Sequence, residues 1–224
     1  CIRETVLRQK TVPANTVTEI QPLQGISKLK SGTVKAVILG DSISVNQGAS
    51  NPSTTGWNVD LNNSLFNKYA NRIEWENKGS SGKLIDYCLE RAAEIADSTD
   101  AVFICSGRID RNFDTPEQFR EKYTALITII KEKAPNADIF CIVEPPSLIS
   151  VDEYKFWDIR TAIIDVSAKT GSYVLDVYSA FPQEEVALSA FLADELHPND
   201  KGNKLMSDYI ADRLSAVISS PKKD

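Results

Sequence analysis

Three short runs, residues 34–39 (VKAVIL), 101–105 (AVFIC) and 139–143 (IFCIV), are apolar and rich in β-branched residues, with almost no polar alternation. A strand that faces water on one side alternates polar and apolar residues, so these runs fit strands covered on both faces. Such coverage needs helices above and below, and the intervening sequence supplies them. Residues 56–69 carry Trp57, Val59, Leu61, Leu65, Phe66 and Tyr69 at roughly helical spacing, and 84–96 aligns Leu84, Tyr87, Cys88, Ala92 and Ile95 on one face. Two longer helices are expected at 116–133, opened by Thr115 as N-cap with Pro116 at the first helical position, and at 152–169, stopped by Gly171. Residues 72–76 and 173–177 read as further strands, and Asn199 caps a last helix running to about residue 218. This alternation predicts an α/β fold: a three-layer α/β/α sandwich around a central, mainly parallel five-stranded sheet. In such sheets ligands bind at the carboxyl ends of the strands.

A length of 224 residues suits one large domain. Residues 1–32, with Pro13, Pro22, Gly25 and Gly32, read as an N-terminal arm or linker, and the domain is expected over 33–224. A net charge of -6 without a basic stripe argues against nucleic acid as partner. The longest apolar runs are about six residues, against roughly 20 for a membrane span. Cys88, Cys105 and Cys141 fall in apolar strand or helix patterns and read as buried thiols, not as a disulfide framework. With a single histidine in the chain, a conventional zinc site is not expected. Cys1 can be read as the lipidated first residue of a bacterial lipoprotein, which would place the protein outside the cytoplasm; a cytoplasmic location is the alternative.

The only histidine, His197, stands in Asp194-Glu195-Leu196-His197-Pro198, and Gly40-Asp41-Ser42 follows the first buried run. A hydroxyl becomes a nucleophile near neutral pH when a base takes its proton, and imidazole suits that task. Asp194, three residues before His197, is close enough to hold one ring nitrogen while the other faces Ser42. A serine at a strand-to-helix junction also aims its own N–H at the space where an oxyanion forms.

In these two motifs, their order and the alternation between them, the chain resembles the SGNH hydrolase superfamily, the GDSL-type esterases and acylhydrolases. The resemblance covers about 185 residues and implies that family's flavodoxin-like sandwich. It implies Ser42 as nucleophile, His197 as general base and then acid, and Asp194 as the orienting acid. It also implies an oxyanion hole from the N–H groups of Ser42 and Gly82, with Gly79 as the alternative glycine in Asn77-Lys78-Gly79-Ser80-Ser81-Gly82. No metal or cofactor is implied. The expected substrate is a short acyl ester, such as an acetyl group on a glycan.

One block departs from the pattern. Where the family carries Gly-x-Asn-Asp after the third strand, this chain reads Gly107-Arg108-Ile109-Asp110, and Ile109 cannot donate the hydrogen bond that the asparagine gives the oxyanion. Losing one such donor typically costs about 10²- to 10³-fold in kcat. Arg108 or Asn112 could substitute, or Arg108 could grip an anionic substrate group; Asp41, Arg108 and Asn112 are therefore candidate substrate contacts. The same departure supports a competing expectation, a carbohydrate- or surface-binding module on a hydrolase fold that has lost activity. Asp110 is expected to support its loop and Glu144, at a strand end, to bond loops. Trp57, Trp75 and Trp157 sit in periodic segments where aromatics usually join the core, a sugar-binding cleft being the other option.

Overall fold

The computed structural model of the chain describes residues 23–219. Cys1, the lipid anchor expected there and most of the expected arm lie outside the described residues.

Five parallel strands, β1 (Val34–Gly40), β2 (Ile73–Asn77), β3 (Ala101–Cys105), β4 (Asp138–Val143) and β5 (Tyr173–Asp176), form one sheet in the order β2-β1-β3-β4-β5. The helices are α1 (Pro52–Thr55), α2 (Trp57–Tyr69), α3 (Ile85–Ala92), α4 (Pro116–Lys133), α5 (Ser150–Thr170), α6 (Glu185–Ser189) and α7 (Asp200–Ser219). The expected sandwich is therefore present, with all its strand pairings parallel. Alternate residues of each central strand divide between two cores. Ala36, Ile38, Phe103, Phe140 and Ile142 pack with Trp57, Leu61, Leu65, Met206, Ile210 and Leu214 of α2 and α7. Val37, Leu39, Val102, Ile104, Cys141 and Val143 pack on the opposite face with Cys88, Phe119, Tyr123, Ile127, Ile159 and Ile163 of α3, α4 and α5. Both faces being dry explains why these strands read as unbroken apolar runs.

Local signals set the helix ends. Thr115 Oγ1 accepts from Gln118 N–H and Gln118 Oε1 accepts from Thr115 N–H, a reciprocal capping box before α4. Gly171, at φ 68°, ends α5 in the left-handed region. Asn199 Oδ1 accepts from Gly202 N–H at the start of α7.

The expected boundary at residue 33 moves back. Ile26 and Leu29, in a 3-10 turn over Ile26–Lys30, are fully buried, Ile26 N–H donates to Asp138 Oδ2 at 2.8 Å, and Lys28 pairs with Asp100 at 2.5 Å. Two aliphatic side chains within a polar stretch were enough to seat this turn on the sheet, a tertiary effect that composition does not reveal. Cys88, Cys105 and Cys141 are buried free thiols. Among the described residues no helix is long and apolar enough to cross a membrane.

The strand order turns between β1 and its neighbours: from β1 the chain passes first to β2 on one side, then to β3 on the other. That reversal makes the carboxyl ends of β1 and β3 the topological switch point, where open α/β sheets bind ligands in a crevice.

Candidate active site

Ser42 leaves β1 at that crevice and is 5% exposed. The turn carrying it is tied at several points. Asp41 N–H donates to Cys105 carbonyl at 3.2 Å, Ser44 Oγ donates to Asp41 carbonyl at 2.6 Å, and Gln47 N–H donates to Ser42 carbonyl at 3.0 Å. Gly40 is required by close approach, since a Cβ there would lie 2.1 Å from the Cys105 carbonyl oxygen. The Ser42 N–H makes no hydrogen bond among the described residues.

His197 and Asp194 lie on a narrow loop between α6 and α7. Leu192 and Pro198 form an antiparallel bridge, Ala193 N–H donates to His197 carbonyl at 2.8 Å, and Leu148 N–H, from the loop after β4, donates to Glu195 carbonyl at 2.8 Å. Gly48, at φ 100°, lets the segment after Ser42 pass against this loop; a Cβ there would meet His197 Cβ at 2.7 Å.

The three side chains form a continuous line. His197 Nε2 lies 2.9 Å from Ser42 Oγ, and His197 Nδ1 lies 2.8 Å from Asp194 Oδ2. Asp194 Oδ1 accepts N–H bonds from Leu196 and His197, each at 2.7 Å. Burial pushes the Asp194 carboxyl upward, but the His197 N–H, the His197 ring and the Leu196 N–H outweigh it and hold the group below the usual aspartate range. An ionised carboxylate bound to Nδ1 fixes the tautomer in which Nε2 is free to accept a proton from the hydroxyl.

The glycine segment after β2 gives a distinction that sequence left open. Gly79 N–H is committed to Asn77 Oδ1 at 2.9 Å, whereas Gly82, at φ 74°, has an N–H without a partner among the described residues. Ser81 Oγ donates to Gln47 Oε1 at 2.8 Å, joining this segment to the Ser42 turn. Asp110 Oδ1 accepts Ile85 N–H at 2.9 Å and fastens the start of α3 to the loop after β3.

Two expected substrate contacts are corrected. Arg108 is 1% exposed and its guanidinium turns away into the protein. It bonds Glu153 at 2.6 Å, Ser147 Oγ at 3.4 Å and the Pro145 carbonyl, and lies 3.6 Å from the centre of the Phe156 ring. A side chain so held cannot swing in as an oxyanion donor. Asp41 is 1% exposed, and its Oδ1 accepts Ile43 N–H at 3.0 Å, inside the turn and not toward the crevice. Asn112 sits at the surface with Lys155 Nζ 3.4 Å from its Oδ1. Ile109 is half-buried and opens the 3-10 turn Asp110–Asn112. Trp57 is fully buried and Trp75 packs edge-on against Phe103 at 5.2 Å, so both are core residues; Trp157 is 47% exposed.

Glu144 bonds a loop, as its place at a strand end led us to expect. It is fully buried at the end of β4 and its Oε2 accepts Arg108 N–H at 2.8 Å. A charged residue directly before two prolines was the available signal.

A doubly wound sheet with a hydroxyl–imidazole–carboxylate line at its crevice defines the hydrolase class. A family model described as GDSL-like Lipase/Acylhydrolase matches residues 38–205, and the chain belongs to this family of ester-hydrolysing enzymes. Solved structures share the fold at low identity. A lipolytic protein of the G-D-S-L family from Veillonella parvula DSM 2008 superposes with a TM-score of 0.68 at 18% identity, over 81% of this chain and 98% of that one. A two-domain esterase active on acetylated mannans gives 0.74 at 15% identity, over 89% and 53%. Est24, a carbohydrate acetylesterase from Sinorhizobium meliloti, gives 0.67 at 14%, over 82% and 99%. No curated protein sequence matches the chain.

Proposed function

We infer that this chain is a serine esterase that removes a short acyl group, with acetyl on a glycan as the leading candidate. Ser42 Oγ attacks the ester carbonyl while His197 Nε2 takes its proton; Asp194 steadies the imidazolium that forms. The N–H groups of Ser42 and Gly82 receive the oxyanion. His197 then returns the proton to the departing alcohol, and water, activated in the same way, releases the acid. The carrying observation is the unbroken line from Asp194 through His197 to Ser42, with contacts of 2.8 and 2.9 Å. The acetyl and glycan preference is supported by analogy with the mannan esterase and the carbohydrate acetylesterase that share the fold.

A second reading, a binding module that has lost catalysis, has Ile109 in its favour. Incubation with p-nitrophenyl acetate and a fluorophosphonate probe, beside Ser42→Ala, separates the two. Turnover and labelling that both vanish in the variant support the esterase; absence of both in the unaltered protein leaves the binding module.

A further inference from the structure

Asp41, Asp110 and Glu144 each have at most 1% of their surface exposed, and the acyl-transfer steps use none of them. Asp110 has a clear structural task at Ile85. Asp41 and Glu144 present a chemical problem. Asp41 Oδ1 takes Ile43 N–H, but its Oδ2 is buried and has no donor among the described residues. Glu144 Oε2 takes Arg108 N–H and its Oε1 faces Cys105 Sγ at 3.8 Å, while the Cys105 carbonyl accepts Asp41 N–H, so the two buried carboxyls flank the same strand end and feel one another's charge. Two ionised carboxylates have no hydrogen to share, and in a dry interior their repulsion is large. One proton between them removes the repulsion and makes the orphaned Asp41 oxygen a donor.

We propose that Glu144 is a positioning residue for Ser42: it accepts one hydrogen bond from a protonated Asp41 and one from Arg108 N–H, pinning the nucleophile's turn to the loop that carries Ile109. The inference rests on the reading of Ser42 as nucleophile. Asp41 is held at its N–H, its carbonyl and its carboxyl, so the peptide that presents the Ser42 N–H is fixed on both sides. That rigidity matters in a site where Ile109 brings no donor and the backbone N–H groups carry the oxyanion.

The surroundings agree with a shared proton. Burial, then the Glu144 charge, pushes the Asp41 carboxyl well above its usual range, and Asp110 adds to it. Burial also raises the Glu144 carboxyl above its usual range, with the Asp41 carboxyl, Arg108 and Arg111 pulling the other way. The other groups facing the pair are the thiols of Cys105 on β3 and Cys88 on α3, both held neutral by burial. His197 reaches this turn through Ser42 Oγ.

Glu144→Gln gives the sharpest test, since its amide can accept from Arg108 and donate to an ionised Asp41. The unaltered enzyme should lose kcat at alkaline pH as the pair gives up its proton. Glu144→Gln should keep kcat within about threefold near neutrality and lack that alkaline fall, while Glu144→Ala should lose about tenfold or more in kcat with little change in KM. Infrared difference spectra between the unaltered protein and Glu144→Gln at neutral pH, in which the Asp110 band cancels, should show the loss of one protonated-carboxyl stretch, a readout independent of turnover and of how Glu144→Ala folds. A difference spectrum in which no protonated-carboxyl band is lost on Glu144→Gln, or an alkaline limb the same in both proteins, overturns the shared proton. Turnover that survives Ser42→Ala overturns instead the reading of Ser42, so the two failures are distinct.

Discussion

Asp41 and Asp194 are the same side chain placed on either side of one hydroxyl, and their surroundings push them in opposite directions. Asp194, whose side chain is 54% exposed, receives two backbone N–H groups and an imidazole, all from within its own tetrapeptide, and stays ionised. Asp41 is sealed beneath the turn, receives one N–H, and meets a second carboxyl where Asp194 meets a base. The first arrangement stores a negative charge where an imidazolium develops; the second stores a proton where a rigid turn is needed. Environment, not residue type, assigns the two tasks.

The comparison breaks most visibly at its centre. Replacing His197 with Ala removes the only base in line with Ser42 and should lower kcat by about 10⁴-fold or more, measured on p-nitrophenyl acetate, without reducing secondary structure. Asp194→Asn keeps the length of the side chain but loses the charge that fixes the tautomer; a fall of about 10³- to 10⁴-fold in kcat is expected, with KM little changed. A variant that stays within about threefold would mean that the Leu196 and His197 N–H contacts, not the charge, orient the ring.

Ile109→Asn sharpens the contrast from the opposite direction. It restores a donor in the half-buried position where the oxyanion hole lacks one, and kcat should rise by about tenfold to a hundredfold. An unchanged rate would show that the Ser42 and Gly82 N–H groups already suffice.

The smallest effect is on stability. Burial pushes the Asp110 carboxyl up to about 7, so folding favours its neutral form. The stability it contributes is complete below its unfolded pKa near 4 and is lost as pH rises through about 7. Asp110→Asn mimics the neutral form and keeps the Ile85 bond, so it should raise Tm by about 2–4 °C at pH 8 and leave it unchanged at pH 4 in calorimetric scans.

Much of the fold was legible because its signals are local or periodic. The run at 101–105 coincides with β3, and the Thr115 cap with the start of α4. Asp194 and His197 were legible for the same reason, three residues apart on one loop, and Ser42 was legible because a single histidine left it one possible base. Arg108 was misread because its fate depends on Glu153, 45 residues away, and on the face of Phe156. Spacing along the chain carries no record of such partners. Ile26 and Leu29 were assigned to a linker for a related reason: burial needs a receiving surface, and that surface is built by later strands.

By itself the sequence determined the parallel, doubly covered sheet and singled out Ser42, His197 and Asp194 as the candidate line, since side-chain periodicity and the rarity of histidine constrain both. Only the tertiary structure decided which N–H groups remain without a partner among the described residues, where Arg108 turns, and that Asp41 and Glu144 are both buried beside Cys105 at the end of β3. Those outcomes depend on desolvation and on distances between segments far apart in the chain, quantities that exist only once the chain has folded.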